Sequence, residues 1–187
     1  MIRFSVLLFV IAILAGSCAG SKKTSGKMNS DFPQSWVGNW EGTLQICSSK
    51  GVVQQLPMEI EISKVDTAAD RYHFALIYGE DKKAGLRPYQ LIIKDREKGH
   101  FVNDEMNGIR MDEYFIGNKL YCWFEVEGTL LLSSFEKKNN LLHFEIIAGS
   151  STPVSTSGGT KHEGEDIPVV KTYPVKNVQK AVLKRKR

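Results

Sequence analysis

A chain of 187 residues with 25 basic and 21 acidic side chains is long enough for one domain with a genuine core. Its net charge of +4 is too mild to organise the molecule around a polyanion. Basic residues interleaved with exposed aromatics, which would mark a nucleic-acid surface, are missing.

The first residues do not belong to that domain. Met1 and Arg3 give a short positive end, Phe4–Ala15 is apolar except for Ser5, and small residues follow. This is the pattern of a secretory signal peptide, predicted over residues 1–17 and too short to span a bilayer. The sequence Leu14-Ala15-Gly16-Ser17-Cys18 resembles the lipobox of bacterial lipoproteins, with leucine one position early and serine next to the cysteine. The resemblance implies that Cys18 takes a diacylglycerol and becomes the first mature residue, anchoring the protein to a membrane of the cell envelope. Ala19 in place of aspartate implies the outer membrane, with the domain in the periplasm. Loss of residues 1–17, which hold one arginine and no acid, takes the charge from +4 to +3. The stretch 18–32 then reads as the lipidated end and a polar tether, with a reach of about 20 Å. The domain is predicted over 33–187, ending in the basic run Leu183–Arg187, read as a solvated tail.

From Trp36 the chain alternates. Trp36, Gly38, Trp40, Gly42, Leu44 and Ile46 fall on one side, a period of two with a largely apolar face. Leu56–Lys64 places Met58, Ile60 and Ile62 inward, and Arg71–Tyr78 puts Tyr72, Phe74, Leu76 and Tyr78 on one face. Tyr89–Asp95 follows Pro88. His100–Glu105 and Ile109–Phe115 flank Asn107-Gly108, the signature of a two-residue hairpin turn. Leu120–Val126, Leu130–Phe135 and Leu142–Ala148 continue the series behind Gly117-Asn118, Gly128-Thr129 and Asn139-Asn140. No helix is predicted between Gly38 and Ala148. Residues 149–166 are a long polar loop, after which Ile167–Tyr173 and Val178–Leu183 return to strand character. The prediction is all-β, a single antiparallel up-and-down β-barrel of about 8–10 strands, with a sandwich as the alternative.

Trp36-x-Gly38-x-Trp40 resembles the Gly-x-Trp signature of lipocalins and their fatty-acid-binding relatives, the calycin barrels. The resemblance implies a basic residue from the last strand, Lys184 or Arg185, over the Trp40 ring as a structural plug. It also implies a habit of binding small apolar molecules. The Thr-Asp-Tyr motif of lipocalins is missing, and the Arg-x-Tyr of fatty-acid carriers is only echoed by Lys171-Thr172-Tyr173.

A two-residue turn at Asn107-Gly108 would pair Asp104 with Met111 and Val102 with Glu113. His100, Val102, Asp104, Met106, Ile109, Met111, Glu113 and Phe115 would then share the interior face. Asp104 and Glu113, with His100, are expected to orient a polar or cationic ligand group, one carboxyl having a raised pKa. The alternative places this hairpin at the rim, or gives it a bulge, with both carboxylates in water. Phe74, Tyr78, Trp123, Phe124 and Phe144, with Trp40, are the aromatic candidates near a cavity. Cys47 and Cys122 fall on opposite faces and are not expected to pair. His73 and His143 face away from apolar neighbours. The cluster His162, Glu163, Glu165 and Asp166 matches no calcium loop. No nucleophile, phosphate-cradling or zinc motif is present, so no catalytic residue, metal or cofactor is expected. The reading is an exported lipoprotein whose barrel binds a hydrophobic or amphipathic molecule, partnered by a membrane through its anchor. The alternative is a filled barrel that docks a protein or glycan.

Overall fold

A computed structural model describes residues 31–187. The predicted signal peptide, Cys18 and most of the tether lie outside the described residues. Ten strands close into one antiparallel barrel: β1 (Gly38–Ser48), β2 (Gly51–Lys64), β3 (Arg71–Tyr78), β4 (Leu86–Asp95), β5 (His100–Asp104), β6 (Arg110–Ile116), β7 (Lys119–Val126), β8 (Thr129–Lys138), β9 (Leu141–Ser150) and, after an excursion, β14 (Val175–Arg185). Each strand pairs with its chain neighbours, and β14 closes the ring between β9 and β1. The excursion carries two small ribbons, β10 (Ser155–Ser157) with β13 (Val170–Thr172), and β11 (Lys161–His162) with β12 (Glu165–Asp166). The long polar loop is therefore structured. One turn of helix, α1 (Lys82–Gly85), is capped by Asp81, whose carboxylate accepts from the Lys83 and Ala84 amides. No caps had pointed to it.

Alternation sorts the side chains as the sequence pattern requires. Met58, Ile60 and Ile62 of β2 and Tyr72, Phe74 and Leu76 of β3 are buried, while Glu59, Glu61 and Ser63 face out. Phe135 and Phe144 face each other across β8 and β9, with ring centroids 5.1 Å apart. Two tight turns, Gly117-Asn118 and Asn139-Asn140, have positive φ at both residues, the twist that matches flanking strands. Of the free thiols, Cys122 is buried and Cys47 half-buried.

The start of β1 departs from expectation. Trp36 belongs to a 3-10 turn, Gln34–Trp36, and the strand begins at Gly38. The tether is also shorter than predicted, because Phe32 is buried. Its ring stacks on Phe115 at 4.3 Å and meets Phe101 and Trp36 edge-on. The segment Phe32–Trp36 thus folds across one end of the barrel. Arg96 holds its Phe32 carbonyl at 2.8 Å and Lys137 holds its Ser35 carbonyl at 2.6 Å.

The basic run at the C-terminus is not a solvated tail. Leu183–Arg185 are the last rungs of β14, and Lys186 pairs with Glu41 and Glu59 at 3.6 and 3.7 Å.

Candidate functional site

At the closed end, Trp40 is 1% exposed and its indole N–H donates to the Trp36 carbonyl at 2.9 Å. The Arg185 guanidinium lies over its ring at 4.8 Å, with the Lys137 ammonium at 6.0 Å. Arg185 pairs directly with Trp40, so its neighbour Lys184 points to the outer face. The glycines beside Trp40 make this geometry possible. Gly38 has φ +142°, and a Cβ there would lie 2.8 Å from an Arg185 nitrogen; one at Gly42 would lie 2.5 Å from the Val182 carbonyl oxygen. An arginine over a tryptophan at one end of a closed next-neighbour barrel is what the Gly-x-Trp resemblance to calycin barrels implied. The fold is calycin-like.

The opposite end differs. The β1–β2, β3–β4, β5–β6, β7–β8 and β9–β14 connections all lie there, by the up-and-down order. These connections and the strand ends beside them carry exposed apolar side chains, among them Val53, Met106, Val126, Val154 and Val175. Between the ends the wall is split along one seam. β6 and β7 pair only at Tyr114–Tyr121, Phe115–Leu120 and Ile116–Lys119. Beyond those rungs Arg110–Glu113 remain on β5 apart from their β7 side, and Cys122–Val126 remain on β8. Both strands stay anchored while the seam opens. A groove of about 900 Å³ lies along it, lined mostly from the outer face, by Arg110, Asp112, Tyr114, Trp123 and Glu125, and reaching Met111, Cys122 and Phe124 on the inner one.

The β5–β6 hairpin has a register one residue away from the predicted one. Asp104 pairs with Arg110, Val102 with Asp112, and Phe101 with Glu113. The cause is the turn. The Asp104 carboxylate accepts the Met106 amide at 2.8 Å, and Met106 takes φ 56°. Glu105 N–H then bonds to the Ile109 carbonyl, leaving three residues in the loop rather than two. An odd count shifts every β6 rung by one.

The predicted polar trio is therefore divided. Glu113 is inside, with Phe101 and Asn103. Asp104 and His100 are on the outer face, where Asp104 meets Arg110 at 2.9 Å and His100 meets Asp112 at 2.6 Å while stacking on Tyr114. The Met106 amide and Arg110 hold the Asp104 carboxyl below its ordinary value. Trp123 is also outside, 76% exposed, because Cys122 and Phe124 take the inner positions of β7. Phe74 and Phe144 are buried in the packed core; Tyr78 and Phe124 are half-buried nearer the open end.

Glu113 is 3% exposed, and burial pushes its pKa up to about 8 against one opposing hydrogen bond from Asn103, 3.3 Å long. Cys122, the next inward residue across the seam, is pushed up to about 12, by burial first and then by the charges of Glu113 and Asp112. Burial also raises Tyr78 and Tyr89, and Glu105 and Glu113 act in the same sense on Tyr89. Asn103 and Ser133 complete the buried polar side chains of the inner wall, and the Asn103 carbonyl oxygen has no hydrogen-bond partner. Sequence reasoning missed Asn103, Cys122 and Tyr89 as companions of Glu113, because the register that unites them depends on the loop count. Among the described residues no group of three or more His, Cys, Asp and Glu side chains could hold a metal ion.

A second groove, of about 770 Å³, lies on the outer face of β8, β9, β14 and β1, where Glu41, Lys119, Glu136, His143, Glu145 and Lys180 give it mixed charge.

No family model and no curated protein matches the chain. Among solved structures it is similar to a crystal structure of zebrafish ileal bile acid-binding protein complexed with cholic acid. Identity is 12%, the TM-score is 0.44, and the match covers 81% of this chain and 99% of that one.

Proposed function

We propose that the barrel takes up a hydrophobic or amphipathic small molecule through the β6–β7 seam. The observation that carries this is the seam itself, where two anchored strands part and a groove of about 900 Å³ reaches Met111, Cys122 and Phe124 on the inner wall. A concavity of this size, with an apolar floor of Met111, Cys122 and Phe124 and charged groups such as Arg110, Asp112 and Glu125 at its margin, suits a small amphiphile. The apolar rim at the open end adds a surface over which such a molecule would pass. The closed end takes no part, because Phe32, Trp36 and Trp40 fill it.

The N-terminal sequence supports a cellular setting for this activity: export directed by residues 1–17, lipidation of Cys18 and attachment to the outer membrane. On this reading the chain enters the barrel at its closed end, so the open rim points away from the anchoring membrane. A second reading, docking of a protein or glycan, is favoured by the outer groove and by the packed core around Met58, Ile60, Phe74 and Phe135.

Native mass spectrometry of the purified chain separates the two. The carrier reading expects a bound amphiphile that leaves on collisional activation. A chain that is always bare, and that fails to bind added amphiphiles, would contradict it. Replacing Cys18 with serine is expected to release the protein from the membrane fraction.

A further inference from the structure

The inner wall beside the seam holds one acceptor that no donor reaches. Asn103 spends its amide N–H on Glu113, and its carbonyl oxygen is buried with no partner. Glu113 has Asn103 as its only hydrogen-bonding influence and is itself buried. An unsatisfied buried acceptor costs about 1–3 kcal/mol, so a donor that reached this wall would bind favourably. The titratable neighbours are Tyr89 from β4, Cys122 from β7, and Asp112 on the outer side of β6 itself; Glu105 and Tyr78 lie further along the same wall. All of these are acidic or aromatic. The cation Arg87, which acts on both tyrosines, sits exposed at the rim and donates to the carbonyls of Ala84 and Leu86.

We propose that Asn103 and Glu113, the inward position next to Met111 of the seam lining, form with Tyr89 a subsite for a protonated amine, the polar end of a cationic amphiphile whose chain lies along the seam. The inference rests on the reading of the barrel as an amphiphile carrier. An ammonium brings three donors and a positive charge to two acceptors and an aromatic face. A carboxylate head would offer the Asn103 oxygen no donor and, once Glu113 ionises near pH 8, would set a second negative charge beside it. A hydroxyl would satisfy Asn103 but leave the carboxyl without a counterion.

Binding an ammonium requires Glu113 to give up its proton to solvent. With the free carboxyl titrating near 8, amine affinity rises about tenfold from pH 6 to 7 and about fivefold from pH 7 to 8. Binding of an uncharged amphiphile has no such rise.

The test compares dodecylamine, 1-dodecanol and dodecanoate by titration calorimetry on the full chain, at pH 6, 7 and 8, below micelle-forming concentrations. The expected result is dodecylamine at least tenfold tighter than dodecanoate at pH 8, with the amine alone gaining affinity as pH rises. Glu113→Gln is expected to abolish both the preference and the pH dependence while 1-dodecanol still binds. Asn103→Ala should weaken the amine more than the alcohol. Equal binding of the three probes, or a preference for dodecanoate lost in Arg87→Ala, would overturn the amine subsite and leave the carrier reading standing. If none of the three binds, both readings fall.

Discussion

Replacing Glu113 with glutamine should stabilise the folded protein by an amount that grows with pH. The folded state holds the Glu113 proton up to about pH 8, whereas the ordinary value is 4.5. Between those values the folded chain binds more protons than the unfolded chain, so stability falls as pH rises. The loss is absent below about pH 4.5 and complete above about pH 8. At 1.36 kcal/mol per pKa step, it amounts to about 3 kcal/mol at pH 7 and about 5 kcal/mol once the carboxyl is fully ionised. Glutamine keeps the shape and a hydrogen bond to Asn103 but has no proton to lose. Urea denaturation of wild type and Glu113→Gln at matched pH values from 5 to 8.5 isolates this one group, since all other titrations cancel in the difference. The difference should widen by about 1 kcal/mol per pH unit up to pH 8 and then level off. A difference that stays constant across the range would show that Glu113 is hydrated, and would refute its placement in the wall.

The remaining predictions concern the plug and the strand faces. Trp40→Ala should cost about 3–5 kcal/mol in urea denaturation, as a fully buried ring is lost. Arg185→Ala should cost about 1 kcal/mol, and Lys184→Ala, on the outer face, should fall within about 0.5 kcal/mol of wild type. Equal effects at 184 and 185 would contradict the ring contact. Gly42→Ala should destabilise by about 1–3 kcal/mol, because its methyl would meet the Val182 carbonyl; an unchanged midpoint would contradict that close approach. In the native state, iodoacetamide should label half-buried Cys47 well before Cys122, whose buried thiol ionises only near pH 12. Comparable rates would contradict the burial of the Cys122 thiol.

The barrel was legible because half-buried strands write their faces in the sequence. Met58, Ile60 and Ile62 against Glu59 and Glu61 leave little choice of orientation. The plug was legible to within one residue, and pairing of Arg185 rather than Lys184 with Trp40 is a matter of register. The hairpin was not legible. Asn107-Gly108 is the strongest turn signal in the chain, yet the Asp104 carboxylate captures the Met106 amide and enlarges the loop. That one hydrogen bond exchanges the face that β5 turns inward, moving Asp104 and His100 outside and setting Glu113, inward as predicted, against Asn103. The seam was equally hidden, since β6 and β7 each alternate normally and only their mutual pairing fails. Phe32 was assigned to the tether because its partners, Phe101 and Phe115, are remote in sequence.

The position of a bound amphiphile tests the account most directly. A twelve-carbon amphiphile carrying a nitroxide should broaden the amide resonances of Met111, Glu113, Cys122 and Phe124 along the seam, and spare those of Trp40 and Trp36. Broadening confined to His143, Lys180 and Val182 in the outer groove, or no saturable broadening at all, would contradict a ligand held within the barrel wall.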